Sequence, residues 1–441
     1  MPQTRHRRVL RLIGRNALIG LAAAGALVWG AGPAAAAPTV KIGIVTFLSG
    51  PAAGPFGIPS KNAAQLVIDA INKGTLLAPY HSKGLAGARI EPVYIDESGS
   101  TTQVVENFRN LVQQRHVDAV VGYISSGSCL AVAPVAEELK VLTVFFDCGT
   151  PRIFEDHSYK YLFRTSATAT MDNVGAARYL KKEYPKATTY AGIDQNYAWG
   201  QDSWRDFTAS MKVIEPKSKV EAVLWPKLFS GQYGSEISTL LIKKPAITYS
   251  SLWGGDLTAF LEQAAARNLP KYSRFVLTTG ETHMFILAKH IPDGSILGAR
   301  GPYGVYAHKT PLNTWFRAAF EKRFGTPPIY PSYHMAQALI GLKAAYDKAE
   351  KTAHKFPTKA EVIKAFTHLK FVGFGDKVDM ALGKGHQAVT EMALGTYEYD
   401  AKTKKPKMVN VVYFPEWCVN PPPGTKAANW IKGGFKGAKC R

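Results

Sequence analysis

The sequence predicts an α/β protein of two lobes, each a doubly wound, mostly parallel sheet with helices on both faces. Three observations predict it. Short apolar runs are followed by stretches with helical spacing, and that alternation occurs twice along the chain. Alternation of this kind means crossover connections, which join parallel strands. The chain has 441 residues, too many for one ordinary core and enough for two.

Taken in order, 40–47 (Val-Lys-Ile-Gly-Ile-Val-Thr-Phe) reads as a strand. Ser60 is placed to cap a helix whose apolar face is Ala63, Ala64, Val67, Ala70 and Ile71. Arg89 to Asp96 is strand-like. Thr101 to Gln114 is a helix, with Val104, Val105, Phe108, Leu111 and Val112 at helical spacing. A strand at 118–122, a helix at 130–139 and a strand at 141–146 complete the first round. The second round runs through strands at 161–164, 188–193, 220–225, 246–252 and 275–279, with helices at 172–184, around 204–211, 235–243 and 256–266. Longer helices at 312–324, 333–350 and 358–369 look like cover for the first sheet. Strand-like runs at 388–399 and 409–414 lie in a Gly-, Lys- and Pro-rich end.

Composition bounds the function. The formal charge is +21, with 46% hydrophobic and 20% charged residues, so wholesale disorder is excluded. Such a charge points to nucleic acid, but its distribution argues against that partner. Arg5, Arg7, Arg8, Arg11 and Arg15 stand in the first 36 residues without an acid, and residues 402–441 hold nine Lys/Arg against one acid, Glu416. The body between them is only mildly basic and has no dense basic run. No nucleic acid is expected.

The N-terminus has a basic stretch, an Ala/Leu/Gly-rich stretch from Ala17 to Ala31, and small residues at Ala34-Ala35-Ala36-Ala37 before Pro38. That is the pattern of a secretory signal cut after Ala36. The apolar stretch is short for a membrane span, and no Cys lies near the cut for a lipid anchor. The mature chain is therefore expected outside the cytoplasm, most simply in a bacterial periplasm. Its four cysteines, Cys129, Cys148, Cys418 and Cys440, then read as disulfide candidates in one of three pairings, of which Cys129–Cys148 and Cys418–Cys440 are the most local.

In open parallel sheets ligands sit beyond the carboxyl ends of the strands, so the loops there carry the candidates. Ser125, Ser126, Gly127 and Ser128 follow one strand at a helix start. Hydroxyls and free N–H groups suit a carboxylate there, although plain capping is the simpler use. Asp147-Cys148-Gly149-Thr150 follows the next strand, and a Cys129–Cys148 bond would stiffen both loops. In the second lobe Tyr197 and Trp199 stand at one strand end, Asp256 after Trp253-Gly254-Gly255 at another, and Glu281 at a third. The aromatics can close over a ligand and the acids can hold an ammonium or amide, against core packing and N-capping as structural uses. No nucleophile elbow, His-Glu-x-x-His, Ca²⁺ loop, Cys-x-x-Cys or phosphate loop occurs. Neither an enzyme, a cofactor nor a metal is expected.

At this point the chain resembles a known family. Ile42-Gly43-Ile44, Leu48-Ser49-Gly50-Pro51, Val120-Val121-Gly122, Ser125-Ser126-Gly127, Ala133-Pro134-Val135-Ala136-Glu137, Leu162-Phe163-Arg164-Thr165, Tyr197-Ala198-Trp199-Gly200 and Trp253-Gly254-Gly255-Asp256 are similar, in this order, to the leucine/isoleucine/valine-binding type of periplasmic solute-binding protein. The resemblance implies a type I periplasmic-binding-protein fold with three hinge crossings, closing around a small molecule, and delivery to the membrane permease of an ABC transporter. It divides the mature chain into a first lobe (37–163 and 283–370) and a second lobe (164–282 and 371–401); the basic C-terminal extension (402–441) is longer and more basic than the family's and is expected on the surface, outside the cleft. It implies that Ser125, Ser126, Gly127, Ser128, Cys148, Gly149 and Thr150 take a substrate carboxylate, that Trp199 and Asp256 line the second-lobe side, and that Glu281 takes an α-ammonium. Asp147 departs from the family's small residue and would repel a carboxylate unless it points away. The expected ligand is an amino acid or related amide, with an aromatic or other organic acid as the alternative, for transport or sensing.

Overall fold

A computed structural model describes residues 38–375 and 377–440; the expected signal segment lies outside them. The first stretch runs β1 (Thr39–Thr46), α1 (Ile58–Lys73), β2 (Arg89–Asp96), α2 (Thr101–Gln113), β3 (Ala119–Gly122), α3 (Ser126–Glu138), β4 (Leu142–Phe145), α4 (Arg152–Glu155) and β5 (Leu162–Arg164). The second runs α5 (Ala169–Glu183), β6 (Thr189–Ile193), α6 (Ala198–Ile214), β7 (Lys219–Leu224), α7 (Gly234–Lys243), β8 (Ile247–Ser250), α8 (Gly255–Ala266), β9 (Arg274–Leu277) and β10 (Ile296–Gly298). The third runs α9 (Pro311–Phe324), α10 (Tyr330–Ala353), α11 (Lys359–Phe366), β11 (Lys370–Val372), β12 (Lys377–Leu382) and β13 (Gln387–Val389). The chain ends with β14 (Met392–Asp400), β15 (Lys405–Phe414), α12 (Glu416–Val419) and α13 (Ala427–Lys432).

The strands form two sheets, in the orders β11-β12-β13-β5-β4-β3-β1-β2 and β15-β14-β10-β9-β8-β6-β7. From β5 to β2 and from β10 to β7 every pairing is parallel. Local chemistry agrees with position. Pro92 falls in β2, an edge strand, where its missing N–H costs no ladder bond on the open side. Ser100 caps α2 by accepting from Gln103 N, and Val104, Phe108 and Leu111 on that helix are buried. Ser60 does not cap α1. It lies one turn inside, and its hydroxyl donates to Phe56 O at 2.8 Å.

The expected lobe boundaries shift. The chain crosses between the sheets three times, at 165–168, 299–303 and 390–391. Residues 283–298 therefore stay with the second lobe, because β10 pairs with β9 and β14. Residues 370–389 stay with the first, because β13 pairs with β5. The run at 388–399, read as one strand, is two strands of different sheets.

The C-terminal stretch is not an extension. β15 pairs with β14 along nearly its whole length, and Cys418, Val419, Trp430, Ile431 and Phe435 are buried with Met171, Val174 and Phe207 in one core. The charges that marked the stretch as basic lie on its solvent face, whereas its aromatic and aliphatic residues close the second lobe's outer layer. The disulfides are Cys129–Cys148 and Cys418–Cys440, the local pairing.

Candidate functional site

The first lobe supplies a wall of the cleft from the loops after β2 and β3. Ser125 is the N-cap of α3 but makes no side-chain cap bond. Glu97, the residue after β2, is buried and accepts from Ile124 N and Ser125 N, both at 2.8 Å. The Ser128 hydroxyl also donates to it. Glu97 thus occupies donors that the sequence assigned to a ligand carboxylate, and among the described residues it forms no ion pair. Burial pushes its carboxyl up to about 8 despite those donors, and Asp147 adds to the rise. Ser126 is engaged within the protein: its hydroxyl accepts from Gly149 N and Thr150 N, and the Cys129–Cys148 bond joins the same two loops.

Glu97, Ser125, Gly127, Ser128 and Tyr197 line one cavity of about 370 Å³, with Ser49 and Ser98 and the apolar residues Phe47, Leu228 and Phe229. That size and mix of apolar wall and few polar groups is the usual form of a small-molecule site.

Deeper, sharing Tyr197, lies a tight cage of Phe56, Gly149, Trp199, Trp253, Tyr330 and Arg300. Its free volume is only about 10 Å³, room for about one water. Gly149 is needed: a Cβ there would lie 2.2 Å from Trp199 Cζ3 and 2.6 Å from Arg300 Nη2. The Arg300 guanidinium sits 4.7 Å from the Trp199 ring centroid and donates to Asp147 Oδ1 at 2.7 Å and Asp172 Oδ2 at 3.0 Å. These carboxylates keep it charged in spite of burial. Asp147 accepts in addition from His334 Nδ1. Its charge is neutralised within the protein, which removes the repulsion its position raised. Across the cleft the lobes meet through rings: Trp253 lies 5.8 Å from Phe47 and 5.2 Å from Phe56. Within the second lobe the Trp253 Nε1 donates to the Tyr197 hydroxyl.

The second-lobe acids are engaged elsewhere. Asp256, in the first turn of α8, accepts from Gln195 Nε2 and Phe229 N at 2.6 Å and from Gly231 N at 3.3 Å. It holds the loop that presents Phe229 to the cavity. Glu281 accepts from Tyr330 N at 2.9 Å at the start of α10, and its other oxygen lies against Gly304, where it leaves no room for a Cβ. Burial pushes Glu281 up to about 8. Neither acid lines either cavity. Cys148 is buried in its disulfide, and Thr150 turns its hydroxyl to Asp202 Oδ2 at 2.6 Å.

The geometry therefore gathers Ser125, Gly127, Ser128, Gly149, Tyr197 and Trp199 around the cleft. It leaves Ser126, Cys148, Thr150, Asp256 and Glu281 supporting it. Sequence reading missed Glu97 and Arg300. Glu97 was findable, since it begins the loop after a strand already recognised; Arg300 follows β10, three residues long and invisible to periodicity. Among the described residues, no group of three or more His, Cys, Asp or Glu is placed to hold a metal.

Comparison with known proteins agrees with this architecture. A leucine-, isoleucine-, valine-, threonine- and alanine-binding protein of Pseudomonas aeruginosa is 29% identical over 188 residues, 43% of this chain; the match spans about half, 47%, of that relative's length. The solute-binding protein of an ABC transporter from Rhodopseudomonas palustris BisB5, solved with 3,4-dihydroxybenzoic acid, superposes with a TM-score of 0.73 at 20% identity, over 86% of this chain and 98% of that one. A leucine-, isoleucine-, valine-, threonine- and alanine-binding protein from Brucella ovis, in its closed conformation, gives 0.73 at 17% identity, over 88% and 97%. The family model described as periplasmic binding protein matches residues 39–404, and with two sheets, three crossings and a cleft between them, this chain belongs to that family.

Proposed function

We propose that this protein captures an amino acid or related amide between its lobes and presents it to the membrane permease of an ABC importer, in the periplasm after loss of residues 1–36. The observation that carries the ligand class is Glu97, a buried carboxyl lining the same cavity as Ser125, Gly127 and Ser128. An ammonium or amide N–H of the ligand donates to Glu97. Its carboxylate or carbonyl meets the N-terminal turn of α3 and the Tyr197 hydroxyl, where donors and the positive end of the helix dipole lie. Phe47, Leu228 and Phe229 cover the side chain. Binding with closure uses each of these groups without a chemical step.

A second reading, an aromatic acid, is favoured by the ring-lined walls and by the solved relative that holds 3,4-dihydroxybenzoic acid. Thermal-shift screening with free amino acids, amides, urea and benzoates separates them, because a ligand at 100 times its Kd stabilises by about 2.7 kcal/mol. A shift with an amino acid or amide supports the first reading. Shifts confined to benzoates contradict it.

A further inference from the structure

A larger cavity lies on the hinge side, away from the cleft. Its volume is about 610 Å³, and its walls come from the α4 loop, the first crossing, the β12–β13 turn and the C-terminal segment 421–426. Arg164 and Gln387, at the edges of two crossings, form part of its lining. Arg164 is fully buried, yet its described bonds go to neutral acceptors only: Nε to Gln387 Oε1, and Nη1 to Cys148 O at 2.8 Å and Thr150 O at 2.7 Å. Among the described residues its Nη2 has no hydrogen-bond partner. Burial accordingly pulls its guanidinium down to about 9.

A buried cation with an orphan donor is costly unless something anionic meets it. Thr168, also in the lining, is the N-cap of the 15-residue helix α5 and makes no side-chain cap bond. Lys384 stands on the rim. The acids nearby have other partners: Asp156 pairs with Lys426 at 2.8 Å and Glu155 accepts from Ala427 N. Burial raises Glu155 to about 7, so at neutral pH it carries only part of a full negative charge. His157 and His368 complete the titratable groups facing the space. Phe154, Leu382, Pro421 and Pro423 give it apolar walls.

We infer that this hinge-side cavity is a second ligand site, taking a small organic carboxylate whose charge meets Arg164 Nη2 and the Thr168 hydroxyl while its apolar body lies against Phe154 and Leu382. The inference stands apart from the identity of the cleft ligand.

The test uses 4-bromobenzoate on the full mature chain. Calorimetric titration counts sites in solution, and bromine anomalous scattering locates them in crystals. The expected result is a bromine peak in the hinge-side cavity, with a matching calorimetric event below about 1 mM. Arg164 substitutions risk misfolding, so the variants are Thr425→Trp, which fills the cavity from an exposed position, and Lys384→Glu. Thr425→Trp is expected to remove the peak and weaken the event at least tenfold, and Lys384→Glu to weaken it several-fold, with any cleft site unchanged. Bromine in the cleft alone, a peak with no calorimetric counterpart, or binding indifferent to Thr425→Trp overturns the inference.

Discussion

The two walls of the cleft carry buried acids in different ways. On the second lobe, Asp256 accepts from the Gln195 side chain and from two N–H groups of the 229–231 loop, and Glu281 accepts with one oxygen at the start of α10. On the first lobe, Glu97 also accepts two N–H groups, one on each oxygen, yet it lines the open cavity. All three are acids at or near the ends of parallel strands. What separates them is the surrounding backbone: the loop before α7 turns its N–H groups onto Asp256, and the first residue of α10 turns its own onto Glu281. Position at a strand end makes a carboxylate available to a ligand only where the backbone stops short of covering it.

The contrast breaks most sharply at Asp256. Asp256→Ala strips three donors of their acceptor, at about 1–3 kcal/mol for a buried group left without a partner, so a loss on the order of 3 kcal/mol or more is expected in denaturant unfolding. A loss under about 1 kcal/mol would mean that the 229–231 loop does not depend on this carboxylate.

pH separates the acids next. Glu97 and Glu281 sit near 8 in the folded chain against an ordinary 4.5. Between those values the native state keeps protons that the unfolded chain has released. Stability from these two groups is therefore full below about pH 4.5 and falls as pH rises toward 8. The melting temperature of the unliganded protein should drop by several degrees from pH 5 to pH 8.5, and Glu281→Gln should flatten part of that drop. A melting temperature that rises over this range contradicts the placement of both groups. Ligand binding has the opposite sign. An ammonium group pairs with ionised Glu97, so affinity for such a ligand should rise on the order of tenfold from pH 6 to pH 8, read by calorimetry; a carboxylate-only ligand should bind more weakly.

The smallest effect is expected for Glu281→Gln on affinity, within about twofold of the parent at pH 7, since this side chain lines neither cavity. A tenfold loss, about 1.4 kcal/mol, would restore the role that family resemblance gives it.

Much of this was legible in the sequence. Helix and strand alternation fixed the class because the apolar spacing of segments such as α2 allows one buried face. Ser125, Gly127, Tyr197 and Trp199 were found because they follow strands that periodicity reveals. The rest depends on distance in sequence. β10 and β13 are three residues each, too short for a period, so the positions of the second and third crossings, and Arg300, went unseen. The C-terminal segment read as a basic extension because Lys402, Lys404, Lys405 and Lys407 dominate its composition, while Cys418, Trp430 and Phe435, which bury it, are spread over a loop and two short helices. Whether an acid serves a ligand or a neighbouring loop is set by tertiary contacts, as between Asp256 and Phe229, that no local pattern records.

The account rests on Glu97. Its most direct test is the Kd of the best amino acid or amide from the screen, and of benzoate, for the parent and for Glu97→Gln at pH 7.5. Loss of a charged hydrogen bond, about 2–3 kcal/mol, predicts affinity for the amino or amide ligand weakened about 30-fold or more, with benzoate binding unchanged or tighter. An unchanged Kd for the amino or amide ligand in a folded Glu97→Gln protein contradicts the account.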